Sequence, residues 1–150
     1  MTMTLAEKGH YAPPPKLPRF AQQLSEHIGS WPRVQARTHW FLGDESVVDG
    51  ADFYLGDDEL GHLHLDAEAH VAQTGAVRDA LVKAKLAQPF RYSRDFVTAP
   101  VERASDVDHV AWLFELRRRQ LEGVPVDALV KEIQAVSAAQ RPTTGRAPRL

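Results

Sequence analysis

The chain has 150 residues and contains no cysteine. This absence excludes disulfide bonds, thiolate nucleophiles and every zinc or iron–sulfur site with cysteine ligands. It also agrees with a reducing compartment, and we expect a cytoplasmic protein. No apolar run approaches the ~20 residues of a membrane-spanning helix, and the N-terminus lacks the apolar segment of a signal peptide. We therefore expect no membrane partner.

An excess of charge of one sign is absent as well. Lys and Arg total 18 against 20 Asp and Glu, which gives a formal net charge of -2. This balance gives no electrostatic basis for binding nucleic acid or anionic lipid. The sequence also has no Gly-rich phosphate loop, no nucleophile elbow and no metalloprotease helix motif. Function must therefore be sought in side chains that the fold brings together.

Apolar residues at helical spacing predict the helices, and alternating or short apolar segments predict the strands. The predicted helices cover about 18–28, 75–88, 105–121 and 126–136, and the predicted strands cover 33–42, 51–55, 59–65 and 69–73, with one or two extended pieces within 90–101. We predict an α+β fold, with an antiparallel meander sheet of about four to five strands and helices packed on one face. The other face is then open to a ligand or a partner.

The length of the chain fits a single domain. Three successive prolines, Pro13–Pro15, oppose both helix and sheet pairing, so residues 1–16 are predicted to be a disordered N-terminal tail. Residues 17–140 are predicted to form one α+β domain. Residues 141–150 are predicted to be a disordered C-terminal tail.

Two histidines one residue apart, His62 and His64, lie in the predicted strand 59–65. Side chains two apart in a strand share a face, so both histidines are predicted to face the open side of the sheet together with Leu60. Leu63 and Leu65 are predicted to face the helices. Glu59 has the opposite parity from His62, which disfavours a role for Glu59 in orienting that histidine.

His70 lies on the next predicted strand, and the pairing register decides whether it joins the other two histidines. A loop of 66–68 would place His64 opposite His70, whereas a loop of 66–67 would pair His64 with Ala69 and turn His70 away. Neighbours on one face of adjacent strands come within about 5 Å of each other. The sequence leaves both registers open.

These histidines support three interpretations. His62, His64 and His70 would suit a zinc, copper or iron site. Alternatively, His62 or His64 would act as a general base near neutral pH, with His70 and the aromatic residues Trp40, Phe53 and Tyr54 forming the pocket for a small hydrophobic ligand. The third interpretation is that the histidines are polar residues on a solvated sheet face. The residues themselves name no cofactor.

Four segments resemble the luciferase-domain family, a group of small bacterial proteins with relatives among the luciferases of bioluminescent fungi. The resemblance is carried by 59–64 (Glu-Leu-Gly-His-Leu-His), 77–82 (Val-Arg-Asp-Ala-Leu-Val), 96–98 (Phe-Val-Thr) and 106–113 (Asp-Val-Asp-His-Val-Ala-Trp-Leu). It extends over about 31–121. The histidine-containing segment is its most specific part.

The resemblance implies chemistry on a small aromatic molecule. The family's expected reaction is oxygenation of an aromatic pyrone by molecular oxygen, without an established metal or organic cofactor, and His62 and His64 would lie at or near the site. Two function classes follow for this chain. One is an enzyme, cofactor-independent or metal-assisted, that binds or oxygenates a small hydrophobic molecule. The other is a non-catalytic module whose open sheet face binds a partner or forms a homodimer.

Overall fold

A computed structural model describes residues 5–42 and 44–140 of the protein. The predicted C-terminal tail and the first four residues of the predicted N-terminal tail lie outside these ranges. Within them the chain forms a 3-10 helix, four α-helices and six strands. Their bounds are Leu5–Lys8 for the 3-10 helix, Arg19–Gly29 (α1), Val34–Phe41 (β1), Asp44–Leu55 (β2), Asp58–His64 (β3), Glu68–Ala72 (β4), Gly75–Lys83 (α2), Gln88–Pro89 (β5), Phe96–Pro100 (β6), Ala104–Leu121 (α3) and Val126–Gln140 (α4).

The strands form one antiparallel sheet in the order β1-β2-β3-β4-β6-β5. The first four strands follow one another as hairpins, which is the predicted meander. After β4 the chain forms α2 and then returns to the same edge, where β6 pairs with β4 and the short β5 pairs with β6. The α+β class is confirmed, and the strand count is slightly higher than predicted.

One face of the sheet packs on the helices and holds the apolar core. Phe53 of β2 meets Phe114 of α3 edge-on, with ring centroids 5.9 Å apart. Leu24 of α1, Leu63 of β3 and Leu129 of α4 are fully buried in the same core. Burying one such side chain contributes about 1.5–3 kcal/mol. The core therefore holds the sheet to its helices from one side and leaves the opposite face for other uses.

A β-bulge in β3 changes which residues face this core. Phe53 pairs with Gly61 and Tyr54 pairs with Glu59, so Leu60 has no partner residue of its own on β2. An extra residue in a strand reverses the alternation on one side of the bulge. Leu60 is consequently buried in the core, and its predicted place beside His62 was wrong. Glu59 turns to the histidine face instead.

The predicted core position of Leu65 was also wrong. Strand β3 ends at His64, and Leu65 lies in the turn before β4 with 44% of its surface exposed. Ala67 completes this turn in the left-handed region, at φ 69°. The turn thus removes Leu65 from the alternation that holds Leu63 in the core.

Residues 5–16, which belong to the predicted N-terminal tail, lie along the edge strand β1. The Thr38 backbone N–H donates to the Ala12 carbonyl at 2.8 Å, and the Trp40 indole N–H donates to the His10 carbonyl at 3.0 Å. The Arg37 guanidinium donates to the same His10 carbonyl at 2.6 Å. These bonds bring Lys8 over the open face of the sheet. Among the described residues, no helix is long and apolar enough to cross a bilayer.

Candidate functional site

Four histidines from three strands meet on the face of the sheet opposite the core. His39 comes from β1, His62 and His64 from β3, and His70 from β4. The rings of His39 and His62 are stacked, with centroids 4.1 Å apart and planes at 9°. Ring centroids of His62 and His64 lie 4.9 Å apart, and those of His64 and His70 lie 4.2 Å apart. We call His39, His62, His64 and His70 the histidine cluster.

The register between β3 and β4 differs from both alternatives that the sequence left open. Leu63 pairs with Ala69 and His62 pairs with His70, because the turn is 65–67. His70 nevertheless joins the cluster, since His62 and His64 share a face. The Nε2 atom of His64 lies 3.2 Å from the Nδ1 atom of His70, diagonally across the pair of strands.

A row of directly paired residues crosses the whole sheet through this site. It joins all six strands, and its members in order are Arg37, Asp52, His62, His70, Thr98 and Gln88. We call this set the central row. His39 and His64 lie one step further along, on either side of Gly50, with which both are paired. The cluster is therefore built by strand register.

Three of the histidines have a carboxylate at the Nδ1 atom. Asp52 Oδ1 lies 2.8 Å from the Nδ1 of His39, and Glu59 Oε2 lies 2.7 Å from the Nδ1 of His62. Asp49 Oδ2 lies 3.1 Å from the Nδ1 of His64. Such a contact fixes both the ring orientation and the tautomer of an imidazole. The Nε2 atoms are then the nitrogens that a ligand can reach, of which that of His64 lies 3.2 Å from His70 Nδ1 and that of His39 lies 3.6 Å from Asp49 Oδ2.

The fourth histidine has a different arrangement. The Nε2 atom of His70 lies 2.7 Å from Glu68 Oε1, and its Nδ1 atom faces His64. Its ring also contacts Phe90, with centroids 4.8 Å apart. His70 thus links the polar cluster to an aromatic wall.

Lys8 brings a positive charge to the buried carboxylates. Its ammonium lies 3.5 Å from Asp52 Oδ1 and 3.7 Å from Glu59 Oε1, and its side chain is only 8% exposed. Both carboxylates are 1% exposed. Because unpaired buried charges are costly, this ammonium stabilises the two buried carboxylates in their ionised form.

Burial dominates the protonation of the site. It raises the pKa of Glu59 to about 7, an effect that the charge of Lys8 opposes. Burial also lowers the pKa of His62 well below its usual value, helped by the charge of His39. The pKa of His64 is lowered by burial and by the charge of His70. His62 and His64 are therefore neutral at pH 7 and carry a lone pair that accepts a proton or binds a metal.

A cavity of about 720 Å³ opens above the histidines. Its walls include the aromatic rings of Trp40, Phe90 and Phe96, and it also contacts Lys8 and Glu59. Cavities of 300–1,000 Å³ with mainly apolar walls and a few convergent polar groups are typical of small-molecule sites. The open face of the sheet is thus a concave pocket.

Most of the predicted site residues come together in this cavity. His62, His64, His70 and Trp40 all line it. Phe53 does not, because it lies in the core against Phe114, on the other face of the sheet. Tyr54 is fully buried and does not line the cavity either; burial raises the pKa of its phenol.

The residues of the site that were not predicted include His39, Asp49, Asp52 and Lys8. Two of them had a signal in the sequence. Asp52 is a lone acid within the apolar segment 51–55, and His39 has the same strand parity as Arg37, on the side away from the apolar residues of that strand. Lys8 had none, since its contact with Glu59 spans a sequence separation of about fifty residues and depends on the path of the N-terminal segment.

Two groups of side chains can each place three ligand atoms within 4.8 Å of one another. One is His39, His62 and His64, and the other is Asp52, Glu59 and His62. The predicted metal set of His62, His64 and His70 thus differs from the first group by one residue. His39 belongs to this group because its stack on His62 brings β1 into the cluster.

Part of the chain matches the model of a known protein family. Residues 57–117 match the family model described as the luciferase domain. The matched segment runs from the turn before β3 into α3 and contains His62, His64, His70 and Glu59. No match was found among curated proteins, and none among solved structures.

Proposed function

We propose that the cavity binds a small aromatic molecule that carries a hydroxyl group, and the match of residues 57–117 to the luciferase-domain family model supports this proposal. An imidazole of the histidine cluster accepts the proton of that hydroxyl. The observation that carries this proposal is the cavity itself, which joins aromatic walls to a floor of four imidazoles. A concave site of this form suits a small ligand better than it suits a flat protein partner.

The aromatic walls supply most of the affinity. Phe90 and Phe96 meet edge-on with centroids 6.3 Å apart. Trp40 lines the same cavity from β1, at the opposite edge of the sheet. Aromatic pairs in such arrangements gain about 0.5–1.5 kcal/mol beyond the burial of their surface. A planar ring bound between these walls would present its polar substituent to the imidazoles.

The proton acceptor is prepared by a carboxylate. Glu59 holds the Nδ1 atom of His62 at 2.7 Å, so a neutral His62 with the proton on Nδ1 has its Nε2 lone pair free. This is the pairing that orients a general base. Loss of the hydroxyl proton increases the electron density of the aromatic ring, which favours reaction with molecular oxygen. We accordingly propose oxygenation of the bound ring as the reaction, with both atoms of O2 added to the ring so that no external reductant is needed.

We also propose that residues 17–140 form one domain and that the protein is cytoplasmic. The core cluster includes residues from Leu17 to Ile133, so helices at both ends of this range share one apolar core. The cysteine-free composition suits a reducing compartment.

Calorimetric titration at pH 7 with 2-naphthol, whose hydroxyl is protonated at this pH, and with its methyl ether, tests the binding function. We expect the hydroxyl compound to bind at least about tenfold more tightly than the ether, because the ether cannot donate to an imidazole. The His62→Gln variant should lose this preference, while His27→Gln, on the exposed face of α1 and away from the cavity, should keep it. Equal affinity of both compounds for all three proteins would contradict the proposal.

A second candidate is association of two copies over the open face. It is favoured by the apolar residues at the cavity rim, since Phe41 is 55% exposed and Leu42 is 83% exposed. Exposed apolar clusters often mark binding surfaces. Light scattering of the wild type and of Leu42→Asp measures the oligomeric state. A wild-type dimer that the substitution dissociates supports this function. A wild-type monomer at about 100 μM excludes a stable dimer.

A further inference from the structure

We propose that His39, His62 and His64 bind one divalent transition-metal ion, such as Zn²⁺, through their Nε2 atoms. Nitrogens of these three rings already lie close enough to share an ion. The binding of the metal itself does not depend on the proposed function. The further statement that the metal faces the aromatic ligand does rest on that function.

The arrangement of carboxylates around the three rings is the first observation behind this inference. Asp52, Glu59 and Asp49 each engage the Nδ1 atom of one ring, at 2.8, 2.7 and 3.1 Å. Histidines that bind metals usually donate their other ring N–H to a carboxylate or carbonyl, which orients the ring and increases its basicity. The three histidine–carboxylate pairs of this cluster therefore provide the hydrogen bonds that would orient three imidazoles around one metal ion.

The charge of the site is the second observation. Four carboxylates contact the histidine cluster, namely Asp49, Asp52, Glu59 and Glu68, while the cations that the described residues set against them are the Lys8 ammonium and, acting on Glu59, the Arg117 guanidinium. The Oδ2 atom of Asp52 is buried and has no hydrogen-bond partner among the described residues. A divalent cation a few ångströms away would offset this excess of negative charge.

The ligand atoms select the type of metal. Neutral imidazoles suit Zn²⁺, Cu²⁺, Ni²⁺ and Fe²⁺, whereas Mg²⁺ and Ca²⁺ prefer oxygen ligands. The inference therefore excludes tight binding of Mg²⁺ at the three histidines.

Metal binding has a structural consequence for the stacked rings. A metal lies in the plane of each imidazole that binds it, and the parallel planes of His39 and His62 do not meet at one point. One of the two rings must rotate out of the stack when the metal binds. The Nε2 of His64 must also leave the Nδ1 of His70, which frees that nitrogen.

Three protein ligands would leave a coordination position open toward the cavity. The hydroxyl oxygen of the aromatic ligand is the group that would occupy it. The metal thus deepens the proposed function by naming what binds the ligand oxygen.

The test uses the full chain without a polyhistidine tag, stripped with EDTA and titrated with Zn²⁺ and Co²⁺ in the absence of any aromatic compound. We expect about one ion per chain and, for Co²⁺, visible absorption bands of nitrogen coordination. His39→Gln, His62→Gln and His64→Gln should each weaken Zn²⁺ binding at least about tenfold. The matched control His27→Gln should bind as wild type does, and Mg²⁺ should not compete.

Asp49→Asn provides a variant that leaves the ligands and the buried core intact. We expect it to weaken Zn²⁺ binding about 10- to 100-fold, because it replaces the carboxylate at His64 Nδ1 by a neutral amide, which is a weaker acceptor. The inference fails if wild type binds no Zn²⁺, or if His27→Gln loses as much affinity as the three ligand variants. Titration of the EDTA-stripped protein with 2-naphthol is a separate measurement, so failure of metal binding and failure of ligand binding are distinguished.

Discussion

Glu59 shows how one unpaired residue redirects its neighbours in a strand. Simple alternation placed Glu59 and His62 on opposite faces, but the bulge at Leu60 puts the two side chains 2.7 Å apart. Gly61, the next residue, has a φ of 154°, which favours glycine. A bulge depends on pairing with another strand, so the local sequence of β3 could not reveal it beyond the presence of that glycine.

Replacement of Gly61 tests the bulge directly. A Cβ atom there would lie 2.5 Å from the His70 carbonyl oxygen and 2.8 Å from the Phe114 ring. We expect Gly61→Ala to reduce the free energy of unfolding by about 2–4 kcal/mol, from steric overlap and backbone strain together. Urea unfolding at pH 7 measures the loss.

The matched control for Gly61→Ala is Gly56→Ala. Gly56 also has a positive φ, 62°, but nothing lies within 4 Å of its added Cβ atom. We expect a loss of only about 1 kcal/mol there, from the left-handed conformation alone. Equal losses in the two variants would contradict the steric origin of the effect.

At the scale of whole elements, Glu132 of α4 joins α3 through polar contacts with two residues of that helix. The Arg119 guanidinium donates to both oxygens of Glu132, at 3.0 and 2.7 Å, and the Trp112 indole N–H donates to Glu132 at 2.8 Å. The hydrogen bond from Arg119, followed by that from Trp112, lowers the pKa of Glu132. The contact therefore fixes the last helix against α3.

A lowered pKa makes this contact dependent on pH. The folded state favours the ionised form of Glu132, so its contribution is present above the unfolded pKa of 4.5 and is lost as pH falls through the lower folded value. We expect Glu132→Gln to lose up to about 1 kcal/mol at pH 7, a modest value because solvent screens the pair. The difference from wild type should shrink below pH 4.5.

Urea unfolding of Glu132→Gln and wild type at pH 7.0 and pH 3.5 measures this difference. The exposed Glu102, whose carboxylate lies outside the α3–α4 contact, provides the control Glu102→Gln. A Glu132→Gln deficit that is unchanged at pH 3.5 would rule out the ionised contact as its cause.

The helices were easier to predict from the sequence than the strands. Val110 and Phe114 of α3, or Leu129 and Ile133 of α4, repeat at helical spacing and do face the core. Strand β2, Asp44–Leu55, is much longer than its predicted extent of 51–55. The prediction was too short because the sequence Asp49-Gly50 is typical of a turn. Gly50 instead lies within the strand, where an added Cβ would be 1.9 Å from the Leu63 carbonyl oxygen.

At the scale of the whole molecule, the order of elements was enough to predict the class of fold. Strands in succession followed by helices require an antiparallel sheet covered on one side, and this is what forms. The cavity could not be predicted in the same way. It depends on the registers of four strands and on the path of residues 5–16, neither of which is fixed by a local pattern.

Deletion of residues 1–13 tests how much the N-terminal segment contributes. The deletion removes Lys8 from Asp52 and Glu59, and it removes the hydrogen bonds that Gly9, His10 and Ala12 make with β1. We expect the protein to stay folded, because the core begins at Leu17, but to melt about 5 °C lower or more. Calorimetry measures the melting temperature.

The single variant Lys8→Met separates the charge from the backbone contacts. It should account for part of the decrease, since it leaves two buried carboxylates without their ammonium. An unchanged melting temperature in the deletion would mean that the segment does not contact the sheet in solution.

The histidine cluster has a consequence for how the protein is kept folded in a cell. Because the histidine cluster is assembled by the pairing of β1 to β4, a slip by one residue in any of these three ladders would turn at least one histidine away from the cavity. A molecule that binds this cluster recognises only the correctly paired sheet and shifts the population toward it by mass action. Any true ligand of the site should therefore also act as a pharmacological chaperone, rescuing the yield of variants whose defects lie far from the pocket.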